Sequence, residues 1–136
     1  WSDDLEEGTD ASAVAYGIPS ALTFNGYPFQ YDHAPLTVQA GDRVRIWVLD
    51  AGPNLPLSFH VVGTQFDTVW SEGTYSLQAG QPAVGTGSDA GSQALGLLAA
   101  QGGFVEFSPR EPGHYTMVNH AMSYAERGAH GTLVVK

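Results

Sequence analysis

Two short stretches carry the side chains best suited to chemistry. In "SFHVVG" and "VNHAMSYAERGAH", His60 and His120 each sit in or at the end of an apolar run, 60 residues apart. Neutral imidazole ligates metals, and its ordinary titration falls near neutral pH, so each residue is a candidate metal ligand or proton carrier. The competing reading for both is a structural histidine that bonds to a nearby carbonyl, which is the commoner fate of an imidazole on an apolar strand. His33 in "YDHAP" reads as a loop residue and His114 in "EPGHY" as a strand start. His130 closes the arc that His120 opens and is expected to be a packing residue. The 136 residues include no cysteine, which excludes disulfides, thiolate zinc sites and a thiolate-bound copper.

Other chemistries are poorly served. The stretch "GTGSDAG" (85–91) lacks the lysine and the strand–helix setting of a phosphate loop. No nucleophile elbow is present for a hydrolase. Fourteen acidic residues against five basic ones give a formal charge of -9, so neither a nucleic acid nor an anionic membrane is an expected partner. No apolar run approaches the roughly 18 residues of a membrane span. Asp3, Asp4, Glu6, Glu7 and Asp10 crowd the start, so residues 1–12 are expected to form a solvated acidic tail or interdomain linker, with a single domain over 13–136.

The elements that must position the two histidines read as short strands. Seventeen glycines and eight prolines cut the chain into segments too short for long helices. "ALTFNGYPF" predicts a strand ending in an Asn25-Gly26 turn. In "LTVQAGDRVRIWVLDAG", Val44, Ile46 and Val48 take one face, and Arg43, Arg45 and Trp47 the other. "LSFHVVG" and "DTVWSEG" flank a turn, and "GGFVEFSP", "HYTMVNH" and "GTLVVK" complete the set. Residues 76–101 are expected to make a long excursion with one strand near "SQALGLL". "AMSYAER" is the one expected helical turn, Tyr115 is placed to cap its strand through its hydroxyl, Met117 belongs in the core, and Met122 should pack beneath the helix. About seven or eight strands make an all-β, Greek-key β-sandwich with one short helix before the last strand.

"VLDAGPN", "SFHVVGTQFDTVWSEG" and "GHYTMVNHAMSYAERGAHGTLVV" together resemble cupredoxin domains, and in particular the second domain of two-domain copper nitrite reductases and small multicopper oxidases. The resemblance covers nearly the whole chain after about residue 20. It implies a part of a copper-dependent oxidoreductase that is not competent as an isolated domain. The family's blue-copper cysteine, histidine and methionine positions fall at Asn119, Tyr124 and near Ala129, so no type 1 copper is expected here. The strands offer Ser58-Phe59-His60 and Val118-Asn119-His120, one imidazole each, where a trinuclear cluster needs His-x-His pairs.

By the same resemblance His120 supplies one ligand to a type 2 copper shared between subunits. His60 takes the position of a histidine that orients substrate and relays protons without binding the metal. Asp67 and Trp70 match family positions but are expected to be structural. The implied partners are a first cupredoxin domain, of the same protein or a companion chain, two neighbours in a homotrimer, and a small oxyanion or dioxygen. The implied location is periplasmic or secreted. The alternative function is a copper-free module for assembly.

Overall fold

A computed structural model describes residues 11–17 and 19–136. The acidic stretch 1–10 lies outside the described residues, and the expected boundary after residue 12 falls inside a short helix, α1 (Ala11–Tyr16). Two more helical turns follow, α2 (Gln30–His33) and α3 (Met122–Ala125), the last of these where one was expected.

Among the described residues, ten strands form two five-stranded sheets. One sheet runs β1 (Ala34–Val38), β10 (His130–Val135), β9 (Gly113–Asn119), β3 (Leu57–Val61), β7 (Ala94–Leu97). The other runs β2 (Val44–Leu49), β8 (Gly102–Phe107), β4 (Thr68–Ser71), β5 (Thr74–Gln78), β6 (Gln81–Pro82). The chain crosses between sheets after β1, β2, β3, β6, β7 and β8, so the architecture is an all-β sandwich of the expected kind.

Period-two patterning drives this arrangement. Along β2 exposure alternates strictly, with Val44, Ile46 and Val48 turned inward and Arg45, Trp47 and Leu49 outward. Phe59 and Val61 from β3, Met117 from β9 and Leu133 and Val135 from β10 meet Val69, Leu77, Val105 and Phe107 from the facing sheet. Phe66, fully buried in the β3–β4 connection, stacks parallel to Phe59 at 6.3 Å and plugs the layer between them. Within the second sheet β4 and β8 approach closely at Gly103, where an added Cβ would lie 2.3 Å from the Trp70 carbonyl oxygen.

Some local expectations are corrected. "ALTFNGYPF" keeps its turn, with Asn25 and Gly26 at φ 58° and 88°, but only one bridge, Phe24 to Tyr27, survives of the strand. Pro28 has no N–H to donate and Phe29 turns to φ 55°, which ends the pairing at once. The 76–101 excursion contains β5's end and the short β6 as well as β7. Met122 is half exposed rather than packed under its helix. Met117 is buried, and the Tyr115 hydroxyl donates to the Glu111 carbonyl at 2.8 Å, both as expected.

Candidate functional site

The antiparallel register brings His60 and His120 together. β3 pairs with β9 so that Phe59 faces Asn119 and His60 faces Val118. The ladder continues one step further, the His120 N–H donating to the Ser58 carbonyl at 2.7 Å. His120 is therefore the diagonal neighbour of His60 on the same face, a spacing at which long side chains still touch. Their rings lie 5.4 Å apart between centroids, tilted by 43°.

The two imidazoles sit in different surroundings. His60 is only 8% exposed, with its ring edge-on to Phe66. Its Nδ1 donates to the carbonyl oxygen of Gln93, just ahead of β7. A carbonyl can only accept, so Nδ1 carries a hydrogen, and in a neutral ring Nε2 keeps its lone pair. His120 is exposed, and its ring makes no hydrogen bond to any described residue. One ring is thus held in a set tautomer and orientation, while the other is free to meet something beyond this chain.

The segment after His120 is closed into a hydrogen-bonded arc. The Asn119 N–H donates to the Ala129 carbonyl at 3.0 Å, and the Ala129 N–H to the Tyr124 carbonyl at 3.1 Å, which ties both ends of the arc together. Asn119, at 4% exposure, spends its side chain on the same task. Its Oδ1 accepts from the Ser58 N–H at 3.1 Å and the Ala121 N–H at 3.2 Å, clamping the chain on either side of His120. Asn119, Tyr124 and Ala129 all line one cavity between the sheets, and none of them is a thiol, imidazole or thioether. This clamp was not foreseen from the sequence, where Asn119 stood out only as a missing cysteine.

Of the remaining histidines, His33 and His114 are exposed and away from the pair, at the end of α2 and the start of β9. His130 is more than a packing residue. Its Nδ1 donates to Asp32 Oδ2 at 2.6 Å, and Asp32 Oδ1 also accepts from the Thr132 hydroxyl at 3.2 Å. That pair joins residues 98 apart, and no local pattern announces it. Asp67 and Trp70 are both engaged in contacts within the second sheet. Asp67 takes a two-pronged bond from Arg43, which also reaches Glu106, while Trp70 stacks on Phe104 at 5.6 Å. Among the described residues, no group of three or more histidines, aspartates or glutamates is placed to hold a metal ion.

This geometry can be set beside known proteins. The sequence model described as multicopper oxidase matches residues 4–136, almost the full length. The chain belongs to the multicopper oxidase family. Within this copper-containing family it is a cupredoxin domain of the kind found in copper nitrite reductases. The copper-containing nitrite reductases of Neisseria meningitidis and Neisseria gonorrhoeae are 36% identical to it over 121 residues, which is 87% of this chain. The chain spans only 28% of the length of those relatives. A copper-containing nitrite reductase from Thermus scotoductus superposes at a TM-score of 0.78 with 29% identity, covering 92% of this multicopper oxidase domain and 27% of that chain. A copper nitrite reductase from Nitrosomonas europaea shares the fold at a TM-score of 0.80 and 24% identity, over 98% of this domain and 46% of that chain. No helix among the described residues is long and apolar enough to cross a membrane.

Proposed function

We propose that this chain is the second cupredoxin domain of a copper oxidoreductase of the nitrite-reductase type. In this reading His120 ligates a type 2 copper at a subunit boundary, and His60 orients the substrate and carries its protons. The observation that carries it is the unequal pair: a buried His60 held through Nδ1 beside an exposed His120 whose ring has no hydrogen bond among the described residues. The residues fit one share of a copper site. A catalytic centre takes about three protein ligands, and this chain contributes one free imidazole, so the others must come from elsewhere. When bound, the copper supplies electron transfer and Lewis acidity.

In this reading the chain's own atoms move and hold the protons. His60 Nε2, on a ring 5.4 Å from that of His120, would accept a proton from a small oxyanion acid and, once protonated, pass that proton to an oxygen leaving the site. The Gln93 carbonyl keeps the ring from turning during that exchange. Burial beside Phe66 limits the water that reaches the ring. The wider reading rests on the family resemblance: a first cupredoxin domain as partner, a homotrimer, a small oxyanion or dioxygen as substrate, and a periplasmic or secreted location. A second reading, a copper-free module for assembly, is favoured by the lack of any three-ligand group among the described residues.

Copper content of the native protein separates the two. His120→Ala is expected to remove the type 2 copper signal from the electron paramagnetic resonance spectrum while far-ultraviolet circular dichroism is unchanged. Retention of that signal in the variant would sink the ligand assignment, and a native protein that never holds copper would leave the assembly module.

A further inference from the structure

A cavity of about 920 Å³ opens between the sheets at the end where β2 leaves the sandwich. Its walls are mostly apolar and aromatic, with Phe24, Trp47, Phe59 and Trp70 among them. Two carboxylates, Asp50 and Glu72, also line it, and no lysine, arginine or histidine among the described residues does. Glu72 is partly committed, its Oε1 accepting from the Gly102 N–H at 2.7 Å.

Asp50 is different. It is 5% exposed, and its backbone is locked on both sides, the N–H donating to Gln101 at 2.9 Å and the carbonyl accepting from Ala100 at 2.7 Å. Its Oδ1 accepts from the Gly52 N–H at 3.0 Å. Its Oδ2 is the one buried side-chain oxygen or nitrogen among the described residues with no hydrogen-bond partner. A buried acceptor left unpaired carries a desolvation cost, and native structures seldom keep one without a use for it. Burial also pushes the Asp50 carboxyl above its ordinary range, a penalty that a nearby cation reverses.

We propose that this cavity binds an organic ammonium ion with an apolar body, whose N–H donates to Asp50 Oδ2. The aromatic walls suit both halves of such a ligand, since ring faces attract ammonium groups and cover hydrocarbon. A hydrated metal ion is a poor occupant, because apolar walls cannot replace its water and too few oxygen ligands converge. The site is independent of the copper reading and stands or falls without it.

The test uses 2-phenylethylammonium as probe, titrated into the nitrogen-15-labelled protein and followed through the backbone amides of Asp50, Ala51 and Gly52. Those signals are expected to shift saturably, with 2-phenylethanol binding at least roughly tenfold more weakly, as a charge-assisted bond requires. Asp50→Asn keeps the Oδ1 acceptor for Gly52 and is expected to remove the preference for the amine. Should that variant fail to fold, the amine-to-alcohol ratio on the unaltered protein decides alone. The proposal is overturned by no saturable shift up to about 10 mM amine. Equal binding of amine and alcohol, the same shifts with magnesium chloride, or an unchanged preference in folded Asp50→Asn would overturn it as well.

Discussion

Replacing Asn119 by alanine tests whether the clamp around His120 is what fixes the candidate site. The side chain of Asn119 is 4% exposed, and its Oδ1 holds the Ser58 and Ala121 amides at 3.1 and 3.2 Å. A fully buried donor left unpaired costs about 1–3 kcal/mol, and two would cost twice that. Ser58 is only half-buried and Ala121 is exposed, so water recovers much of the loss. The expected destabilisation is therefore about 2 kcal/mol, toward the lower bound. At about 2.1 cal/mol/K of unfolding entropy per residue, a chain of this length should lose about 7 °C in Tm. The sharper assay is hydrogen exchange at single amides. In Asn119→Ala, exchange at Ser58 and Ala121 should accelerate beyond what the loss of global stability explains, while β2 and β8 amides track that loss alone. Asn119→Asp keeps the acceptor and should restore slow exchange at both amides, even though a buried carboxylate costs stability of its own. If Ser58 and Ala121 stay as protected in Asn119→Ala as in the unaltered protein, the side chain does not hold the His120 segment and the reasoning fails.

Three further outcomes follow from other parts of the fold. Gly103→Ala would set a Cβ 2.3 Å from the Trp70 carbonyl and 3.2 Å from Ser71 Cα, atoms of the backbone that cannot swing aside. A loss of about 3 kcal/mol or more is expected in urea unfolding, and a near-neutral effect would mean the β4–β8 contact is looser than described. Burial pushes the Asp67 and Glu106 carboxyls up, but hydrogen bonds from Arg43, joined by Thr68 on Asp67 and Arg45 on Glu106, bring both below their ordinary values of 3.8 and 4.5. Because the folded pKa is the lower one, their contribution is complete above those ordinary values and is lost as pH falls through the folded values. Arg43 and Asp67 are 44% and 39% exposed, so solvent screening holds the Asp67 share to about 1 kcal/mol or less, and Asp67→Asn should flatten the acid limb of a stability–pH curve by that much. Asp32→Ala strips His130 and Thr132 of their shared acceptor and should cost about 1 kcal/mol in the same unfolding assay, with β1 pairing intact.

How far the sequence discloses this molecule depends on the range of the interaction. The alternation in "VRIWVL" is a local, period-two signal, and β2 has its expected faces. The Asn25-Gly26 turn is equally local and forms, whereas the strand before it does not, because pairing needs a partner that the pattern cannot name. His60 and His120 were legible as a pair through family likeness. Their contact was not, since it rests on the β3–β9 register. The Asp32–His130 pair and the orphaned Asp50 oxygen left no trace in the sequence, because burial and long-range bonding are settled only when the sheets close.

That register also explains how the candidate site is held. Side chains on a strand alternate faces, so a slip of one residue between β3 and β9 would send His120 to the opposite side of the sheet from His60. Asn119 points to the cavity side of β9 and binds across to Ser58, so the residue standing where a family cysteine is expected now resists that slip. The same Ser58 accepts the His120 amide, which makes one β3 residue the anchor for both. What the sheet does not place beside His120, among the described residues, is a group of three ligating side chains. His60 has given Nδ1 to Gln93, and strand geometry places Val118 and Ser58 at the neighbouring positions on that face. An antiparallel pair with one histidine on each strand can aim one imidazole outward and hold another beside it, which is the arrangement the proposed shared copper site would use.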